Sequence, residues 1–171
     1  MPDRPDAGRA RPALPDALAG GVLRPILIHP DPVLRDVSQP SGYLKGPDLR
    51  QLAADLLASM YEAGGRGLAA PQIGVLRRIF VMDAGWKQGV SEPMVMLDPE
   101  IVVRSDRAQR DGERCLSIPG QRVEVVRPHQ VTVAWYDLDG RRCRRALSGA
   151  AARIAQHEAD HLEGRLIVDF L

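Results

Sequence analysis

From Arg78 to Tyr136 the chain is a succession of short β-branched and apolar runs, RIFVMD, VMLDPEIVV, RVEVV and QVTVAWYD, separated by Gly, Pro and Asp. A helical pattern precedes them. In PDLRQLAADLLASMYEAGG, residues Leu49, Leu52, Ala53, Leu56, Leu57, Met60 and Ala63 recur at helical spacing until Gly64 and Gly65 stop the run. Downstream, DLDG at 137–140 predicts a hairpin turn into RRCRRAL, with Cys143 on the face opposite Arg142 and Arg144. Ser148 is then placed to cap a last helix running through Leu162. Strands followed by one late helix predict an α+β domain in which that helix packs against the sheet to bury its apolar face.

The chain has 171 residues, 44% of them hydrophobic but only 4% aromatic, so one domain with a core of Leu, Val, Ile and Ala is expected. Residues 1–21, rich in Pro, Arg, Ala and Asp, are expected to form a flexible leader, with residues 22–171 as the single domain. The leader has no unbroken apolar run, which argues against a secretion signal, and no segment has the length and apolarity of a membrane span. Lys and Arg total 23 against 22 Asp and Glu, a net charge of +1, so no global field draws the chain to DNA or a membrane. Two cysteines, Cys115 and Cys143, are too few for a disulfide scaffold and fit a reducing cytoplasm.

The late helix carries QHEADHLEG at 156–164. Side chains four residues apart share a helix face, so the imidazoles of His157 and His161 can converge on one cation, and Glu158 can reach a water beside it. Two neutral nitrogen ligands and a carboxylate that accepts a proton are what metal-assisted hydrolysis needs. The plain alternative is a surface helix that carries two histidines. A catalytic site wants a third protein ligand, and no histidine follows His161. Cys115, in ERCLSIPG between a strand and a Pro-Gly turn, is the upstream candidate, against the ordinary reading of a lone cysteine as a small buried hydrophobe. Cys143, between arginines on a hairpin strand, suits packing better. One thiolate and two imidazoles suit zinc or Fe(II), with Co or Ni as substitutes.

Three segments, GRGLAAPQIG at 65–74, ERCLSIPG at 113–120 and QHEADHLEG at 156–164, occur in the order of the GxGxAAxQ, EGCLS and HExDH segments of the peptide deformylase family. The chain resembles that family from about Leu23 to its end, through PDPVLR, RRIFVMD and RPHQVTV as well. The resemblance implies mainly antiparallel sheets packed around a C-terminal metal-binding helix. It implies a hydrolase that takes the formyl group off the initiator methionine of new polypeptides and releases formate. Cys115, His157 and His161 would hold one divalent metal, Fe(II) physiologically, with Zn, Ni or Co in its place. Glu158 would carry the proton, while the Gln72 side-chain amide and the Leu116 backbone N–H stabilise the oxyanion. Gly65, Arg66 and Gly67 would border an extended peptide, the methionine side chain would enter an apolar pocket near Leu116 and Ile154, and Glu113 would brace the metal-site loop.

Two positions depart from the family pattern. Arg114 stands where EGCLS has glycine, beside the metal cysteine, and Arg66 stands where an apolar residue is usual. A side chain at 114 implies narrowed access, a negative φ or an added contact to the peptide, hence an altered substrate range or, at the extreme, formyl-peptide binding without turnover. A peptidase using HEADH on internal amide bonds is the other enzymatic reading, and a cysteine as third ligand argues against it. The chain closes at IVDFL, without the long C-terminal helix by which some bacterial deformylases dock on ribosomes, so the ribosome is expected only as a transient contact.

Overall fold

The computed structural model describes residues 10–171. Helix α1 (Gly46–Glu62) is followed by strands β1 (Gly67–Ala69), β2 (Ile79–Met82), β3 (Met94–Arg104), β4 (Ala108–Cys115), β5 (Ile118–Pro128), β6 (Gln130–Tyr136) and β7 (Arg142–Ser148), then by helix α2 (Gly149–Leu162). Five strands form one antiparallel sheet in the order β1-β2-β3-β6-β7, and β4 with β5 forms a separate hairpin.

Period-two alternation in β2 assigns the two faces of the large sheet. Ile79 and Val81 point to α1, where they meet Leu52, Leu56, Leu57, Met60 and Tyr61, residues spaced to form one helical stripe. Phe80 and Met82 point the other way and pack with Val131, Val133, Trp135 and Leu147 against Ala152, Ala155 and Leu162 of α2. The expectation that the late helix buries its apolar face on the sheet is met here. The small residues of α2 let its backbone approach the sheet closely, and each fully buried Leu or Phe in these layers contributes roughly 1.5–3 kcal/mol. The β4–β5 hairpin closes over a third cluster, in which Leu34, Val123 and Val125 pack with Leu166 and Ile167 at the C-terminal end.

Local chemistry explains the breaks. VMLDPEIVV is one strand, irregular where β3 pairs with β6, between Leu97 and Glu100 and between Ile101 and Val103. Next to the first irregularity, Asp98 takes a φ of +48° and its carboxylate accepts bonds from the Ser41 N–H at 2.8 Å and the Ser41 hydroxyl at 2.5 Å. Helix α2 ends at Gly164, φ +71°, where a Cβ would collide with the Arg35 carbonyl, so only glycine fits.

Two sequence-based expectations are revised. Ser148 precedes α2 as expected, but its side chain makes no capping bond. The Pro-Gly of ERCLSIPG lies inside β5, and the turn is Leu116–Ser117. Residues 1–9 of the stretch read as a leader lie outside the described residues. From residue 10 onward that stretch runs along α1: Leu14 and Leu18, four apart, pack on its cluster, and Gln51 donates to the Gly20 carbonyl at 3.2 Å. Cys143 packs, partly buried, against the cluster between the sheet and α2.

Candidate metal centre

Cys115 ends β4 at the two-residue turn, while His157 and His161 sit one helical turn apart on the face of α2 that meets this hairpin. The three side chains converge, their ligand atoms all lying within 4.8 Å of one another. Nε2 of His161 is 3.3 Å from Nε2 of His157 and 3.5 Å from Sγ of Cys115. A tetrahedral cation with ordinary metal–nitrogen and metal–sulfur bonds separates such donors by about 3.3 Å and about 3.6 Å. The donor set therefore fits a divalent, borderline-soft ion in spacing and chemistry.

The surroundings orient the donors. Nδ1 of His157 donates to Oε1 of Glu113 at 2.9 Å, which turns the Nε2 lone pair toward the site. The same carboxylate receives Arg127 through Nε at 2.6 Å and Nη2 at 2.9 Å, and Arg153 through Nη1 at 2.9 Å. Arg127 also reaches Asp160 of α2 at 2.9 Å. Burial alone would raise the Glu113 carboxyl, but the hydrogen bonds from Arg127 and His157 bring it down to about 2. Burial opposes the imidazolium of His157, yet bonds to Cys115 and Glu113 lift it to about 10, so an entering cation competes with a proton there. Burial and the charge of His157 push His161 well below its ordinary value, leaving it neutral.

Glu158 is buried beside the donors, and burial pushes its carboxyl up to about 7. Among the described residues its Oε2 has no hydrogen-bond partner. Gly67 makes room for it: a Cβ there would fall 2.5 Å from Oε1. Gly65 is held as tightly, since a Cβ would fall 2.7 Å from Cδ1 of Leu116. The Gln72 amide cannot flip, because its Oε1 accepts the Ala69 N–H at 2.9 Å. Its Nε2 therefore faces Ser117 Oγ at 3.0 Å and Cys115 Sγ at 3.7 Å.

These groups border one open cleft of about 940 Å³. Gly65, Arg66, Gly67, Gln72, Arg114, Cys115, Leu116, Ile154, His157 and Glu158 all line it, and His161 lies behind them, buried. Gln109, Asp111 and Arg153 line the same cleft. Arg114 has a negative φ and an exposed side chain on the cleft rim. Sequence reasoning had not assigned Arg127 or Arg153 a part. Arg153, four residues before His157 on the same helix face, was the one signal available.

The polypeptide deformylase family model matches residues 23–171. The peptide deformylase of Rhizobium meliloti is 42% identical over 149 residues, covering 87% of this chain and 85% of that one. The peptide deformylase of Alkalilimnicola ehrlichii is 43% identical over 146 residues, 85% and 80% of the two chains. The crystal structure of peptide deformylase from Thermotoga maritima superposes with a TM-score of 0.80 at 36% identity, over 86% of this chain and 97% of that one. A Met-Ala-Ser-bound class I type b peptide deformylase from Acinetobacter baumannii gives 0.81 at 32%, over 88% and 99%. With its fold, its sequence and its helix-borne histidines all in agreement, the chain belongs to the polypeptide deformylase family.

Proposed function

We propose that the family's reaction, hydrolysis of the N-formyl group from the initiator methionine of newly made polypeptides, runs at the Cys115, His157 and His161 site with Glu158 as proton carrier. The carrying observation is the donor triangle with its buried, unpartnered carboxyl oxygen alongside. A divalent ion bound there, Fe(II) in the cell with Zn, Ni or Co as substitutes, supplies Lewis acidity to the carbonyl and makes water a stronger acid. Glu158 takes a proton from the attacking water and delivers it to the amine nitrogen as the C–N bond breaks, leaving formate and a free amino terminus. The Gln72 amide and the Leu116 N–H hydrogen-bond the oxygen that becomes negative. Gly65, Arg66 and Gly67 border the peptide, and Leu116 with Ile154 receives the methionine side chain.

The relative from Acinetobacter baumannii holds Met-Ala-Ser, a peptide with the free amino terminus that deformylation leaves. We place the chain in the cytoplasm, meeting formyl-methionyl nascent peptides by transient contact with the ribosome. Residues 22–171 are taken as one catalytic domain. No helix among the described residues is long and apolar enough to cross a membrane. The exposed position of Arg114 gives no support to a blocked site, and a cysteine beside the two histidines favours deformylation over cleavage of internal amide bonds.

The test is formate release from formyl-Met-Ala-Ser by Fe(II) protein prepared without oxygen. Glu158→Ala is expected to lose roughly 10²- to 10⁴-fold in rate with metal retained. No release by the parent protein overturns the reading, and equal release by both removes the role given to Glu158.

A further inference from the structure

The glycine-flanked segment that borders the cleft is gripped from behind by residues to which no part in the site has been given above. Trp86, in the loop between β2 and β3, is buried, and its indole N–H donates to the Gly65 carbonyl at 2.9 Å. The next carbonyl, of Arg66, accepts the Asp83 N–H at 2.9 Å. The Trp86 ring stands edge-on to Tyr61 of α1, with centroids 5.3 Å apart and planes at 85°. Tyr61 in turn donates its hydroxyl to Asp83 Oδ2 at 2.7 Å. Asp83 is fully buried and also accepts the Ser91 hydroxyl at 2.7 Å and the Glu92 N–H at 3.0 Å, so the loop closes on itself. Burial and the Asp83 carboxylate push the Tyr61 phenol up, which keeps it a donor.

What this brace holds matters for chemistry. Gly65 rests against Leu116, the residue after Cys115, and Gly67 rests against the Glu158 carboxyl. Strand β1 is also an edge of the five-stranded sheet, with β2 on one side only. A peptide laid along the cleft meets a backbone whose height and tilt are set by the bonds to its carbonyls.

We infer that Trp86, backed by Tyr61 and Asp83, is a positioning residue for the peptide-binding edge Gly65–Gly67, and that it governs how tightly the chain holds residues beyond the formylated methionine. The inference rests on the proposed deformylase reading of the site. Trp86→Phe keeps an aromatic ring beside Tyr61 but removes the N–H together with part of the indole, so the Gly65 carbonyl loses its donor.

The experiment uses the full chain loaded with zinc or Fe(II). For Trp86→Phe, KM for formyl-Met-Ala-Ser is expected to rise about tenfold with kcat within about twofold of the parent. KM for formyl-methionine alone stays near the parent value. Calorimetric binding of Met-Ala-Ser to the zinc protein weakens by the same factor, and Tyr61→Phe shifts both in the same direction by less. KM and the binding constant unchanged in both variants, or an equal effect on formyl-methionine alone, overturns the inference. If the parent releases no formate, the deformylase reading fails, and the binding of Met-Ala-Ser still decides the role of Trp86.

Discussion

The Glu158 carboxyl lies against the Cα of Gly67 so closely that a methyl group on Gly67 would fall 2.5 Å from Oε1 and 2.9 Å from Cδ. The colliding atoms, Oε1, Cδ and Cγ, belong to that one side chain, so the carboxyl must shift to admit the methyl. Gly67→Ala is expected to retain metal and most of its stability while losing about 10²-fold in kcat, since proton transfer depends on placement. Steady-state kinetics beside metal analysis and a melting curve check this. A large loss of stability with kcat intact would contradict it.

Glu113 pairs with two arginines and orients His157 with one carboxylate. Glu113→Ala leaves Arg127 buried with Asp160 as its remaining carboxylate partner among the described residues and frees the imidazole to rotate. We expect about 3–5 kcal/mol of lost stability by denaturant titration and roughly 10- to 100-fold weaker metal binding by competition with a chelating dye.

Removing the metal from the parent protein should lower its melting temperature, because only the folded chain assembles Cys115, His157 and His161. At a free metal concentration of about 100 times Kd the ion adds roughly 2.7 kcal/mol. Thermal scans with chelator, then with added Zn or Ni, should show the loss and its recovery. A melting temperature indifferent to metal would mean the three donors do not bind it.

Gln72 is locked by the Ala69 N–H with its amino group toward Ser117 and Cys115. Gln72→Glu replaces that donor with an acceptor facing sulfur. A loss of about 10²- to 10³-fold in kcat is expected, with the substrate KM less affected.

Arg114→Gly restores the residue usual in this position and removes a cation from the cleft rim. Turnover should persist, and relative kcat/KM among formyl peptides that differ after methionine should change. Identical values across several peptides would remove the specificity role of Arg114.

The parts legible in sequence were those with one dominant period. The α1 stripe from Leu49 to Met60, the apolar run of β2, the alternation of Val131 and Val133 in β6, and the four-residue step from His157 to His161 all correspond to elements of the structure. Strand β4 was missed upstream of ERC because AQRDGERC carries a charged network on its inner side, where Glu113 meets Arg127 and Arg153, so no apolar alternation marks it. Its pairing partner β5 lies across a turn that opens on Leu116, which is not a typical turn former, whereas Pro119-Gly120 three residues on carries the stronger turn signal. The donor set needed tertiary structure too: Cys115 and His157 are far apart in the chain and meet only because the hairpin folds back onto α2.

Cys115 belongs to the β4–β5 hairpin, whereas His157 and His161 belong to a helix seated on the five-stranded sheet, and among the described residues no strand pairing joins the two sheets. A bound ion therefore adds a rivet beside the Glu113, Arg127 and Arg153 bonds that already tie the hairpin to α2. Hydrogen exchange should register this unevenly: with the ion withdrawn, amides of β4 and β5 exchange faster, while those of β2 and β3, clamped under α1, keep their protection.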